Sequence, residues 1–165
     1  MQPVPLKPEQ REALLTSLEN MPTYLEATVR ALTPALTRRR GPNDGFSPVE
    51  QVWHLADLER EAFAVRIKRL LAESNPQLPD FDGAAVAAAR QYRTLSPAEG
   101  LAAFREARAL NLHTLRMLTP DAWDRSGRQD GIGPVSLADV LASMASHDAA
   151  HRDELEEWKR QVAAV

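Results

Sequence analysis

Three stretches of this chain share one helix-start pattern: Ser47-Pro48-Val49-Glu50, Ser96-Pro97-Ala98-Glu99 and Ser136-Leu137-Ala138-Asp139. A serine just ahead of a helix can accept a bond from an open backbone N–H. An acidic residue three positions on can accept one from the serine's own N–H. Proline suits the first helical position, where no donor is needed. Apolar residues follow each start at steps of three, four and seven, which is one face of a helix. After the first come Val52, Ala56, Phe63, Ile67 and Leu70, with a second stripe of Leu55, Leu58, Ala62 and Val65. After the second come Leu101, Phe104, Arg108, Asn111, Leu115 and Leu118, and after the third Leu137, Val140, Met144, His147, His151 and Trp158. The pattern predicts long helices over about 48–72, 97–118 and 137–162.

A fourth long helix precedes these. Leu14, Leu18, Leu25, Val29, Leu32 and Leu36 share a face, so a helix is expected from Pro8 to Leu32 or Leu36. Pro22 is expected to kink or divide it, since proline lacks a donor and clashes with the preceding turn. Residues 1–8 are expected to be extended, and 37–46 to form a loop. Residues 81–93 are expected to include a short helix. Residues 120–135 form the longest irregular stretch, pinned by Trp123. Gly131-Ile132-Gly133 within it is not a dinucleotide fingerprint, because no strand precedes it and the third glycine is missing. Ala and Leu number 47 against 12 for Val and Ile, the balance of helix over strand. The expectation is an all-α four-helix bundle with a short extra helix, one domain over residues 1–165. The second helix is apolar on more than one side, which would permit a homodimer.

Composition closes several routes. There is no cysteine, so a disulfide framework, Cys-ligated zinc and a Cys nucleophile are out. A net charge of −3 leaves no basic surplus for phosphate contacts, so nucleic acid is not an expected partner. The run Arg38-Arg39-Arg40 precedes Gly41-Pro42 and reads as a solvated loop. No apolar stretch has membrane-spanning length, and MQPVPLKPEQ holds no apolar signal core. A soluble cytoplasmic protein is expected.

The four histidines carry the chemistry. His147 and His151 stand at i and i+4, which puts two imidazoles one turn apart on one helix face where they can share a metal. They lie in line with core residues, so they are expected to face inward and to need a partner: a metal or a hydrogen bond. This is not the HExxH pattern of metalloproteases, since the residue after His147 is Asp148. His54, in the second helix, shares its side with Leu58, Glu61 and Val65 and is also expected to face inward. His113 lies away from the apolar face of the third helix and reads as a surface residue.

The segment from Phe46 to Glu59, FSPVEQVWHLADLE, resembles the second-helix signature of the DinB-like superfamily. Ser146-His147-Asp148-Ala149-Ala150-His151 followed by Glu154 resembles its fourth-helix signature. The tryptophan loop that ends in Gly-x-x-Ser-Leu is similar as well. The resemblance spans about residues 10–160. It implies a four-helix bundle with two lengthwise crossovers and a three-histidine metal site, whose ligands would be His54, His147 and His151. Zinc or nickel is the expected ion, with iron or manganese as alternatives.

Three imidazoles on a divalent ion leave a position open for water or substrate. The resemblance implies either a thiol-dependent S-transferase using a low-molecular-weight thiol or a metal-dependent hydrolase, acting on a small molecule. A non-catalytic helical module stabilised by metal is the alternative. Around the site, Asp57 and Asp148 read as solvent-facing charges, while Glu61 and Glu154 lie closer to the inward faces. Arg105 or Arg108 could hold an anionic substrate. With no cysteine in the chain, a reacting thiol must come from the substrate.

Overall fold

The long helices form where the cap signatures stand. In the computed structural model, which describes residues 5–163, Ser47 Oγ and backbone N both donate to Glu50 Oε2, at 2.7 and 2.9 Å. Ser96 Oγ accepts from the Glu99 N–H at 3.3 Å, and Ser136 and Asp139 bond reciprocally. The elements are α1 (Pro8–Arg30), α2 (Pro34–Thr37), α3 (Pro48–Asp57), α4 (Ala64–Ala72), α5 (Gly83–Arg90), α6 (Pro97–Arg116) and α7 (Leu137–Trp158). A π turn, Leu58–Phe63, carries α3 into α4, so the two make one long helix. The extended start expected for residues 1–8 falls outside the described residues over 1–4.

α1, α3–α4, α6 and α7 form a four-helix bundle in which α6 packs on α1 and α3, while α7 packs on α1 and α4. Buried charge divides its interior. Arg108 on α6 is 2% exposed, with Glu59 of the π turn and Asp148 of α7 at 1% and 5%. The guanidinium reaches both carboxylates at 2.7–3.1 Å, and Asn111 Nδ2 adds a bond to Glu59. Met21, Leu25, Leu55, Phe104 and Leu155 pack on one side of this layer. Leu18, Leu58, Ile67, Leu112, Leu141 and Met144 pack on the other.

The same arginine explains why Pro22 does not break α1. Proline at position 22 leaves the carbonyl of Leu18, four residues back, without its helical donor. Arg108 Nη1 fills that place at 3.0 Å, and the helix runs unbroken from Pro8 to Arg30. The expected division comes later, at Leu32 and Thr33, before the short α2.

The stretch over 120–135 is more regular than expected. A 3-10 turn (Pro120–Asp124) leads into a hairpin of β2 (Ser126–Gln129) and β3 (Gly133–Ser136). β1 (Gln77–Leu78) adds to it in parallel, giving a three-stranded sheet beside the bundle. Gly131 and Gly133, at φ 73° and 102°, make the hairpin turn, a conformation glycine adopts without penalty. Strands of two to four residues pair between the α4–α6 and α6–α7 connections, so no local apolar alternation announces them.

Candidate metal centre

α3 and α7 meet where their histidines lie. The rings of His54 and His151 are 4.8 Å apart between centroids, and those of His147 and His151 are 6.1 Å apart. His54 and His151 are buried. His147, in contrast to its expected inward position, is solvent-exposed and rests its edge on Phe63, centroids 5.8 Å apart. His113 is exposed on α6, as expected.

Both His54 and His147 are held neutral. Burial, then the neighbouring His151 and His147, push His54 down to about 4. Burial, then His151 and Arg66, also lower His147, whose surroundings crowd it although solvent reaches it. His54 Nδ1 is buried with no hydrogen-bond partner among the described residues. Such an orphan is costly unless something claims it.

His151 is oriented by a partner that the sequence reading missed. Gln51 Oε1 lies 2.6 Å from His151 Nδ1, and Glu154 Oε2 lies 3.1 Å from it. Gln51 Nε2 donates to Glu154 Oε2 at 2.6 Å, so its oxygen is the end that accepts from His151. The proton then sits on Nδ1 and the Nε2 lone pair is left for a ligand. Gln51 is three residues before His54 on one helix face, a spacing that could have drawn attention to it. Glu154 is pulled down to about 2, first by its bond to His151.

Several neighbouring residues stand otherwise than expected. Asp57 is not solvent-facing but 1% exposed, and accepts from Tyr92 Oη, Arg90 and Arg60. Burial favours its neutral form, but these bonds outweigh burial and lower its pKa. Asp148 is likewise buried, held by Arg108. Glu61, expected nearer the interior, is exposed and pairs with Arg90. Arg108 has its donors taken by Glu59, Asp148 and Leu18 and has none left for an anionic substrate. Arg105 is exposed on the seam with α1, where it pairs with Glu26.

The Asp57 cluster ties the connection between α4 and α6 down beside His54. Tyr92 and Arg90 anchor its far end, and Gly83, at the start of α5, meets the imidazole so closely that a Cβ there would lie 2.7 Å from Nδ1. Phe46 and Phe81 flank the ring at centroid distances of 5.5 and 6.2 Å. Among the described residues no group of three His, Cys, Asp or Glu side chains already stands in a metal-holding arrangement. The His147 ring lies at 25° to that of His151. Three imidazoles gathered at one end of the bundle, one with its tautomer set by Gln51, are nevertheless the ligand type a divalent ion takes, and His54 would offer Nε2, since Gly83 closes off its Nδ1.

The comparisons with known proteins agree with this architecture. YfiT of Bacillus subtilis (strain 168) is 24% identical over 155 residues, covering 93% of this chain and 86% of its own. A solved structure of YfiT, described as a probable metal-dependent hydrolase with an unusual four-helix bundle topology, matches with a TM-score of 0.90 at 23% identity. It covers 99% of this chain and 94% of that one. The crystal structure of a mycothiol-dependent maleylpyruvate isomerase matches with a TM-score of 0.70 at 16% identity, over 88% of this chain and 60% of that one. These structures share the fold, and the family model of the DinB superfamily matches residues 17–155. The chain belongs to the DinB superfamily.

Proposed function

We propose that this chain is a divalent-metal enzyme acting on a small molecule, with His54, His147 and His151 as the metal ligands. The observation that carries the reading is the close approach of the buried His54 and His151 rings, 4.8 Å between centroids, with Gln51 setting the tautomer of His151. A divalent ion there would acidify a water or a thiol at its open position. Zinc and nickel suit the imidazoles best, with iron and manganese as alternatives.

The residues around the site favour a thiol over water as the nucleophile. Glu154 and Asp57 are both held below the usual carboxylate range and committed to hydrogen bonds, which makes them poor proton acceptors near neutral pH. A thiol is the easier of the two to ionise without a base. Gln51 and Glu154 fix His151, Phe46 and Phe81 wall off His54, and the exposed side at His147 is the way in for substrate. The first reading is therefore transfer to or from a low-molecular-weight thiol. Metal-dependent hydrolysis is the second, supported by the near full-length match to YfiT.

Cytoplasmic work fits a thiol substrate, which is kept reduced there. Among the described residues no helix is long and apolar enough to cross a membrane. Pairing of two copies is part of the same proposal, supported by Leu110 and Met117, exposed by 64% and 73% at the C-terminal end of α6.

Elemental analysis of untagged protein tests the reading. Wild type is expected to carry about one ion per chain and His54→Ala little. A screen of thiols against small electrophiles then follows loss of free thiol. Wild-type protein that stays metal-free after incubation with zinc and nickel would overturn the proposal.

A further inference from the structure

The seam between α1 and α6 is on the opposite side of the bundle from the histidines, because α6 and α7 each bridge α1 to the α3–α4 helix. A groove of about 730 Å³ runs along this seam, within the size range of small-molecule sites. Its walls are largely apolar: Pro22, Val29, Leu32, Leu101, Ala102 and Ala109. Two of its three cations, Arg30 and Arg105, share Glu26, and the groove's second carboxylate, Glu106, offsets the remaining charge of that pair.

Arg38 is not matched. Its guanidinium meets only uncharged acceptors, the carbonyls of Pro34 and Leu95 at 3.3 and 3.4 Å and Thr37 Oγ1 at 3.5 Å. These bonds are long and weak. Among the described residues Arg38 makes no ion pair. It lines the groove and also an adjoining hollow of about 490 Å³ that it shares with Arg40 and Arg93. Arg40 is taken by Asp44 and Glu50, so Arg38, which lines both cavities, supplies the unspent positive charge where they meet. The Arg38-Arg39-Arg40 run, read from sequence as a solvated loop, thus places a free cation at the end of an apolar trough.

We propose that this seam binds a medium-chain carboxylate, with its hydrocarbon tail along the α1–α6 groove and its head on Arg38. The planar guanidinium fork matches a carboxylate. The site shares none of its lining with the metal centre and does not depend on it.

Calorimetric titration of the full chain with octanoate, decanoate and decanol tests the proposal. Decanoate is expected to bind one per chain, with roughly fourfold tighter affinity for each added methylene. Decanol is expected to bind about tenfold more weakly than decanoate, and Arg38→Gln to erase that difference. Ala102→Trp, at an exposed position on the groove wall, is expected to remove binding of both probes while the melting temperature and helical circular dichroism hold. His54→Ala is expected to leave binding unchanged. Decanoate binding indifferent to chain length and to both groove variants would overturn the proposal. So would a dimer that Ala102→Trp turns into a monomer, since a second copy would then be the occupant.

Discussion

Arg108 Nη1 lies 3.0 Å from the carbonyl oxygen of Leu18, the acceptor that Pro22 strips of its helical donor. A side chain on the third long helix thus completes the backbone of the first. The same guanidinium closes two buried carboxylates, so three helices and the π turn depend on one residue.

Replacing that residue should be costly. Arg108→Met leaves Glu59 and Asp148 buried without a cation and is expected to lose about 3–5 kcal/mol. Pro22→Ala restores a backbone N–H for Leu18. In that background the loss from Arg108→Met should shrink by about 0.5–1.5 kcal/mol, the worth of one hydrogen bond. Denaturant unfolding of the four proteins in the cycle measures this, and additive effects would contradict the proposed repair of the helix.

Gln51 acts through His151. Gln51→Ala removes the nearer of the two acceptors at Nδ1 and frees Glu154, the other, from its bond to Gln51, so the ring is held less firmly and metal affinity is expected to fall about 10–100-fold. The metal-free protein should lose only about 1 kcal/mol. Competition with a chelator reads the first quantity and thermal unfolding in excess chelator the second. A change in stability without a change in affinity would make Gln51 purely structural.

Gly83 admits no side chain without movement. A Cβ placed 2.7 Å from His54 Nδ1 must push the ring or lift the start of α5. Gly83→Ala is expected to destabilise the protein by about 1–3 kcal/mol and to weaken metal binding with it. Unfolding and metal titration on one sample measure both.

Asp57 gives the fold an acid-sensitive tie. Burial alone would raise its pKa, but bonds from Tyr92, Arg60 and Arg90 hold it lower in the folded chain. A carboxylate lowered on folding adds stability above its unfolded pKa of about 4, and that stability is lost as pH falls through the folded value. At pH 7, Asp57→Asn should cost about 1–3 kcal/mol, and the gap to wild type should close as the pH drops below about 4. Urea unfolding at several pH values reads it. A gap that widens on acidification would reverse the sign of the argument.

What the chain could tell on its own was local. Ser47, Ser96 and Ser136 cap helices by bonds that reach three residues, and apolar stripes mark faces with a period of under four. These rules need no partner, so the four helices stand close to where they were expected. The i, i+4 spacing put His147 and His151 on one face for the same reason. Which groups meet across helices is a different matter. Asp57 and Asp148 looked like solvent charges because a carboxylate is buried only where donors wait, and apart from Arg60 beside Asp57 their donors are Tyr92 and Arg90, 33–35 residues away, and Arg108, 40 residues away. Pro22 looked like a break because its remedy comes from α6. Gln51 reaches its histidine across 100 residues of chain, and the small sheet joins two crossovers that no short-range pattern links. Periodicity and capping are written in neighbouring residues, whereas the burial of charge, the tautomer of His151 and the neutrality of His54 depend on packing, because desolvation and hydrogen-bond supply exist only once the helices have come together.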